Sequence, residues 1–254
     1  MTFADKDSIV RQIWGKADTI LFIFAGASAE FTLNKSVDWL YFTGKLPADP
    51  LGRLFSTVGY ARMIIFSEKD DALRYIDQIT AIHRHVEADR GFNIPDEAYL
   101  EVLYMLIDYS IRSYELLERK LTDTEKDEVF NVFFHVGLRM ELKDMPQNYP
   151  DFVKRRTIQL KNELIYSRFT PDLYKQYRKH LGLIRYIILK QAQVLVVPAD
   201  VNRMLRLGKV RWLMPVLLIY KFFRWFRLEN VLKNAILPPQ YVSQVNALDI
   251  AGNS

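Results

Sequence analysis

Residues 49–66 read DPLGRLFSTVGYARMIIF, and the punctuation of this stretch decides the class of fold. An aspartate followed by proline marks a helix start. The carboxylate can cap orphan N–H groups of the first turn, and Pro50, lacking an N–H that the turn does not use, takes the first helical position. The predicted helix runs to about Phe66. On it Arg53 and Thr57 stand at i and i+4, sharing a face beside Leu54 and Val58. A guanidinium and a hydroxyl so spaced can address one object, such as a propionate, dioxygen or a developing negative charge. The alternative is an arginine in the first turns paired with a carboxylate such as Asp49.

Outward from this helix the same punctuation recurs, while the alternation of a strand is hard to find, so the chain reads as all-α. A second helix is predicted from Ser67 or Glu68 through Ile76, Ile79 and His83 to Val86, ending before Gly91. A third starts at Pro95 and Asp96 and carries Leu100, Leu103, Ile107 and Ile111 towards Leu121. Thr122 with Glu125 is a capping box that opens a fourth, which must stop before Pro146. Pro150 and Pro171 occupy two further N1 positions, the second capped by Thr170. The last helical region, from about Pro198, is interrupted near Gly208 and Pro215 and ends at Pro238 and Pro239. Upstream, ILFIFAGASA at residues 20–29 suits a buried core helix.

The composition narrows the chemistry. At 254 residues and 50% hydrophobic, the chain can build one sizeable core, and without a repeat or a linker it reads as a single domain over residues 1–254 with a frayed tail at 243–254. Having no cysteine, it can form no disulfide, thiolate nucleophile or iron–sulfur cluster. Four histidines would be nearly exhausted by a multi-histidine metal site, whereas one axial ligand to a haem needs only one. The N-terminus lacks the pattern of a secretion signal, so the expected location is the cytoplasm. Residues 201–235 carry eight basic side chains against one acid, Glu229. Interleaved with Trp212, Phe222, Phe223 and Trp225, they point to a membrane surface or a partner and away from nucleic acid. The uncharged run within 212–220 is too short to span a bilayer.

His83 and His85 lie two positions apart, about 200° around a helix, so only one can face a core. The stripe Ile76, Ile79, His83, Val86 places His83 inside and His85 outside. A lone core histidine is either a hydrogen-bonded structural residue or a ligand, and the pattern leaves both readings open. Glu30 and Asp38 are candidate general bases only if buried, and Asp108 inside LYMLIDYSI demands a partner, for instance Arg112. No GxGxxG, GK[ST], GxSxG or HExxH motif occurs, which removes the nucleotide-dependent, hydrolase and zincin readings.

DPLGRLFSTVGYARMIIF, followed by IHRHV, MLIDYSIRSYELL, LTDTEKD and much later AILPPQYV, resembles the haem-dependent oxygenase family of the MpaB-type oxygenases and the rubber oxygenases. The likeness runs from about Thr19 to Val242 and is nearer the MpaB-type branch. The resemblance implies a helical fold with a globin-like core that holds haem b on a proximal histidine, matching His83, with Arg53 and Thr57 in the distal pocket. It also implies dioxygen as co-substrate and a hydrophobic, unsaturated, isoprenoid-like or lipid substrate, with the basic C-terminal segment, about 201–239, at a membrane surface. Ser56 stands where rubber oxygenases carry a lysine, and Leu103 where many members carry a histidine, so rubber cleavage is not implied. A non-catalytic haem- or lipid-binding protein at the membrane surface is the competing expectation.

Overall fold

A computed structural model of the chain describes residues 2–35, 37, 41, 44 and 49–225; of the helical residues 50, 51, 53, 54 and 220–225 it describes the backbone alone. Among the described residues there are ten α-helices and no strand: α1 (Ile9–Trp14), α2 (Ala17–Phe31), α3 (Pro50–Phe66), α4 (Lys69–Arg90), α5 (Asp96–Leu117), α6 (Asp123–Arg139), α7 (Tyr149–Asn162), α8 (Phe169–Val196), α9 (Ala199–Leu205) and α10 (Leu213–Trp225). The all-α reading therefore holds. Helix starts are set by side chains at the expected places: Asp49 accepts from Gly52 N at 2.9 Å, and Thr122 and Glu125 form the reciprocal capping box. Gly91 ends α4 at φ +78°, a left-handed turn that costs glycine little.

The small residues of α2 decide the packing. Ile20, Ile23, Ala25, Gly26 and Ala29 are buried, and at Gly26 a Cβ would collide with the Tyr109 ring of α5. Close approach of these two helices makes α2 the central helix, with α5 on one side and α8 on another. The α5 stripe Leu100, Leu103, Ile107 and Ile111 is buried as expected. Polar ties fix the arrangement. Trp14 Nε1 donates to Ser110 Oγ at 3.1 Å, Tyr177 OH to the Ser28 carbonyl at 3.1 Å, and Gln193 Nε2 to Ser28 Oγ at 3.1 Å.

Three boundaries differ from expectation. Helix α5 stops at Leu117, because Glu118 leaves helical geometry at ψ −100°. Thr170 does not cap a helix at Pro171: α8 already begins at Phe169, and the Thr170 hydroxyl is buried and donates to the Thr32 carbonyl at 2.7 Å, tying α8 to the end of α2. Pro215 does not interrupt the last region either. The break lies at Arg206 (φ +50°) and Gly208 (φ +97°), and Pro215 sits in the first turn of α10, where its missing N–H has no partner to lose. The stop expected at Pro238 and Pro239 and the tail at 243–254 lie outside the described residues.

Candidate functional site

Helices α3 and α4 are joined by only Ser67 and Glu68 and pack against each other. Arg53 lies 13 residues before the end of α3 and His83 lies 14 residues after the start of α4. At 1.5 Å per residue both stand about 20 Å from the connection, and Thr57 stands about one turn nearer to it. The Arg53 side chain lies outside the described ones. Thr57 is half-buried and Ser56, its neighbour, is exposed.

On α4 the two histidines separate as their phase requires. Ile76 is fully buried, Ile79, His83 and Val86 are half-buried, and the His83 Nδ1 is shielded from solvent. His85 points outward, with 79% of its side chain exposed and Nε2 3.5 Å from Asp89 Oδ2. The His83 ring packs on Tyr99 of α5 with centroids 5.0 Å apart and planes tilted by 58°. Tyr99 is itself held: its hydroxyl donates to Glu87 Oε1 at 3.2 Å, and the same oxygen accepts from Ile94 N at 2.8 Å. Burial first, and then the neighbouring Glu87, push the Tyr99 phenol above its ordinary value, so it remains a donor. This Tyr99–Glu87 brace was not found in the sequence. The one signal that could have found it is Glu87 at i+4 from His83.

His135 is exposed, with Nδ1 2.6 Å from the Asn131 carbonyl oxygen, and among the described residues no three His, Asp or Glu side chains come together as a metal-binding group. The His83 imidazole beside Ile79, Val86 and an aromatic ring suits a group that asks for a single axial nitrogen and an apolar wall, and His180 of α8 is half-buried too, with its Nε2 shielded from solvent. Leu103 is buried against Gly137 of α6, so its position serves packing between helices.

The candidate bases have other tasks. Arg156 of α7 grips Glu30 through two parallel bonds, Nη1–Oε1 at 2.5 Å and Nη2–Oε2 at 2.6 Å, while Tyr109 OH donates to Glu30 Oε2 at 2.8 Å. Arg156 also reaches Asp108 Oδ2 from Nε and Nη2 at 3.0 and 2.9 Å, and Arg112 holds Asp108 Oδ1 at 2.7 Å. The expected Asp108–Arg112 pair is present, but Arg156, 48 residues away in sequence, completes it. Asp38 lies outside the described residues.

The class defined by this arrangement is an all-α protein with a half-buried histidine on α4, directly after the helix that carries Arg53 and Thr57. Residues 16–228 match the family described as ER-bound oxygenase mpaB/B'/rubber oxygenase, catalytic domain, and the chain belongs to this family of oxygenases. Comparison with curated proteins and with solved structures returns no match.

Proposed function

We propose that the chain is a haem b-dependent oxygenase, one catalytic domain acting with dioxygen on a hydrophobic, unsaturated, isoprenoid-like or lipid substrate. The observation that carries the reading is the inward placement of His83 against Tyr99, on the helix that directly follows the one bearing Arg53 and Thr57. Family membership supports the oxygenase part. His83 would hold the haem iron by one ring nitrogen, in a core of globin-like design. Bound haem supplies the dioxygen and electron chemistry that no side chain of this cysteine-free chain offers. Arg53 then places a permanent positive charge where negative charge develops, and Thr57 donates or relays a hydrogen bond at the same place. The apolar neighbours Ile79 and Val86 keep water from the imidazole and receive a substrate without polar groups.

The test is the absorption spectrum of protein produced with haem supplied. A Soret band from wild type that changes or disappears in His83→Ala supports the assignment; full haem with unaltered axial ligation in that variant sinks it. Oxygen uptake with an unsaturated lipid separates an oxygenase from a non-catalytic haem- or lipid-binding protein. With Arg53→Ala the haem stays bound and turnover slows, whereas unchanged turnover removes Arg53 from the reaction.

A further inference from the structure

Residues 173–225 carry eleven lysines and arginines and a single acid, Asp200, which is itself bonded to Arg203. This excess lies on α8, α9, α10 and their connections. The backbone of α8 breaks at Gly182 (φ +71°, ψ 175°), a conformation that a side chain would strain. Directly after the break Leu183, Ile184 and Ile187 form one stripe, 58, 76 and 41% exposed. Helix α10 packs on α8 and buries Leu217, yet leaves Val216, Leu218 and Ile219 in water; Val210 and Trp212 just before it are exposed too.

Eight large apolar side chains in water, on a stretch of chain with eleven cations and one anion, suit a partner both oily and negative. We infer that the second limb of α8 and the start of α10 form a docking face for an anionic lipid bilayer, into which Leu183, Ile184, Ile187, Leu218 and Ile219 insert while the surrounding basic residues pair with headgroups. Among the described residues no helix is long and apolar enough to cross a membrane. The face begins at Gly182, upstream of the basic segment that the sequence singles out. Charge complementarity selects the lipid. A second copy would bring two strongly cationic faces together, and a nucleic acid would satisfy the charge but leave Ile184 and Leu218 exposed. The inference concerns where the protein sits and stands independently of the haem chemistry.

The test is co-sedimentation of the full chain with vesicles of phosphatidylcholine alone or with about 30% phosphatidylserine, at about 50 and 500 mM NaCl. Wild type should sediment with the anionic vesicles at low salt. Binding should weaken about tenfold in high salt or on neutral vesicles, and as much in Ile184→Asp/Leu218→Asp, whose circular dichroism and melting temperature match wild type. A second variant, Arg178→Gln/Arg185→Gln/Lys190→Gln, should lose the dependence on phosphatidylserine. Wild type remaining in the supernatant overturns the inference, as does an aspartate variant that sediments equally. So does duplex RNA binding that is indifferent to the aspartates in a protein that ignores vesicles. A dimer in light scattering that the aspartates dissolve, without vesicle binding, assigns the face to a second copy.

Discussion

The Tyr99 ring packs 5.0 Å from the imidazole of His83, and its hydroxyl donates to Glu87, one helical turn beyond that histidine on the same helix. The tyrosine thus spans α5 and α4 and is braced at both ends: by the histidine ring against its face and by a carboxylate at its tip. Because Glu87 also accepts the N–H of Ile94, the brace reaches into the connection between the two helices.

Removing the brace should therefore loosen the histidine ring. In Tyr99→Leu the His83 ring resonances of the haem-free protein should shift and broaden in a nitrogen–proton correlation spectrum, while those of His135 stay in place. Tyr99→Phe keeps the ring contact and should move them less. Glu87→Ala removes two accepted hydrogen bonds and should lower stability by about 1–2 kcal/mol in urea melts. Identical His83 signals in all three variants would show that the ring is positioned by other groups.

Glu101 gives a pH-dependent stability with a defined sign. It is 7% exposed, and Oε2 lacks a hydrogen-bond partner among the described residues. Burial pushes its carboxyl up to about 7; a hydrogen bond with Asn34 and the charge of Lys35 oppose this, and Glu30 and Glu163 add to it. In the window between the ordinary 4.5 and about 7 the folded chain holds a proton that the unfolded chain releases, so this group's contribution falls as pH rises through the window. Glu101→Gln should gain up to about 3 kcal/mol over wild type at pH ~8 and nothing near pH ~4. An advantage independent of pH would mean that the side chain acts through packing.

Arg156 should be the most costly charge to delete. It is 4% exposed and satisfies Glu30 and Asp108 together, so Arg156→Ala leaves buried carboxylates with too few donors. The expected loss is about 3–5 kcal/mol in equilibrium unfolding. Arg156→Lys should recover only part of it, because an ammonium cannot reproduce the fork on Glu30. A melt close to wild type for the alanine variant would refute the structural role.

At Gly26 two effects oppose each other. Alanine should favour the helix by about 1 kcal/mol, but its Cβ would meet Cδ1 and Cε1 of Tyr109. That ring is fully buried and its hydroxyl is fixed on Glu30, so it cannot move aside. Overpacking should win, with a net loss of about 1–3 kcal/mol and a lower melting temperature. A stabilised Gly26→Ala would show that α2 and α5 can separate.

Helix starts and stops at Asp49, Thr122 and Gly91, the burial of residues 20–29 and the choice of His83 over His85 were legible because each depends on neighbours within one or two turns. Capping, the φ of glycine and the 3.6-residue period are local, so the sequence carries them in full. The Thr170 cap and the interruption at Pro215 went the other way for a tertiary reason. Thr170 had a better partner in the distant Thr32 carbonyl, and a proline in a first turn breaks nothing.

By itself, then, the sequence determined the all-α class, the inward histidine, the i, i+4 spacing of Arg53 and Thr57 and the cationic character of the C-terminal third. Tertiary structure alone decided that Arg156 would join Glu30 to Asp108, that Tyr99 would brace His83, that Glu101 would be buried and that the apolar stripe after Gly182 would face water. Each of these rests on residues brought together from different helices, and no local period records which helix will lie against which.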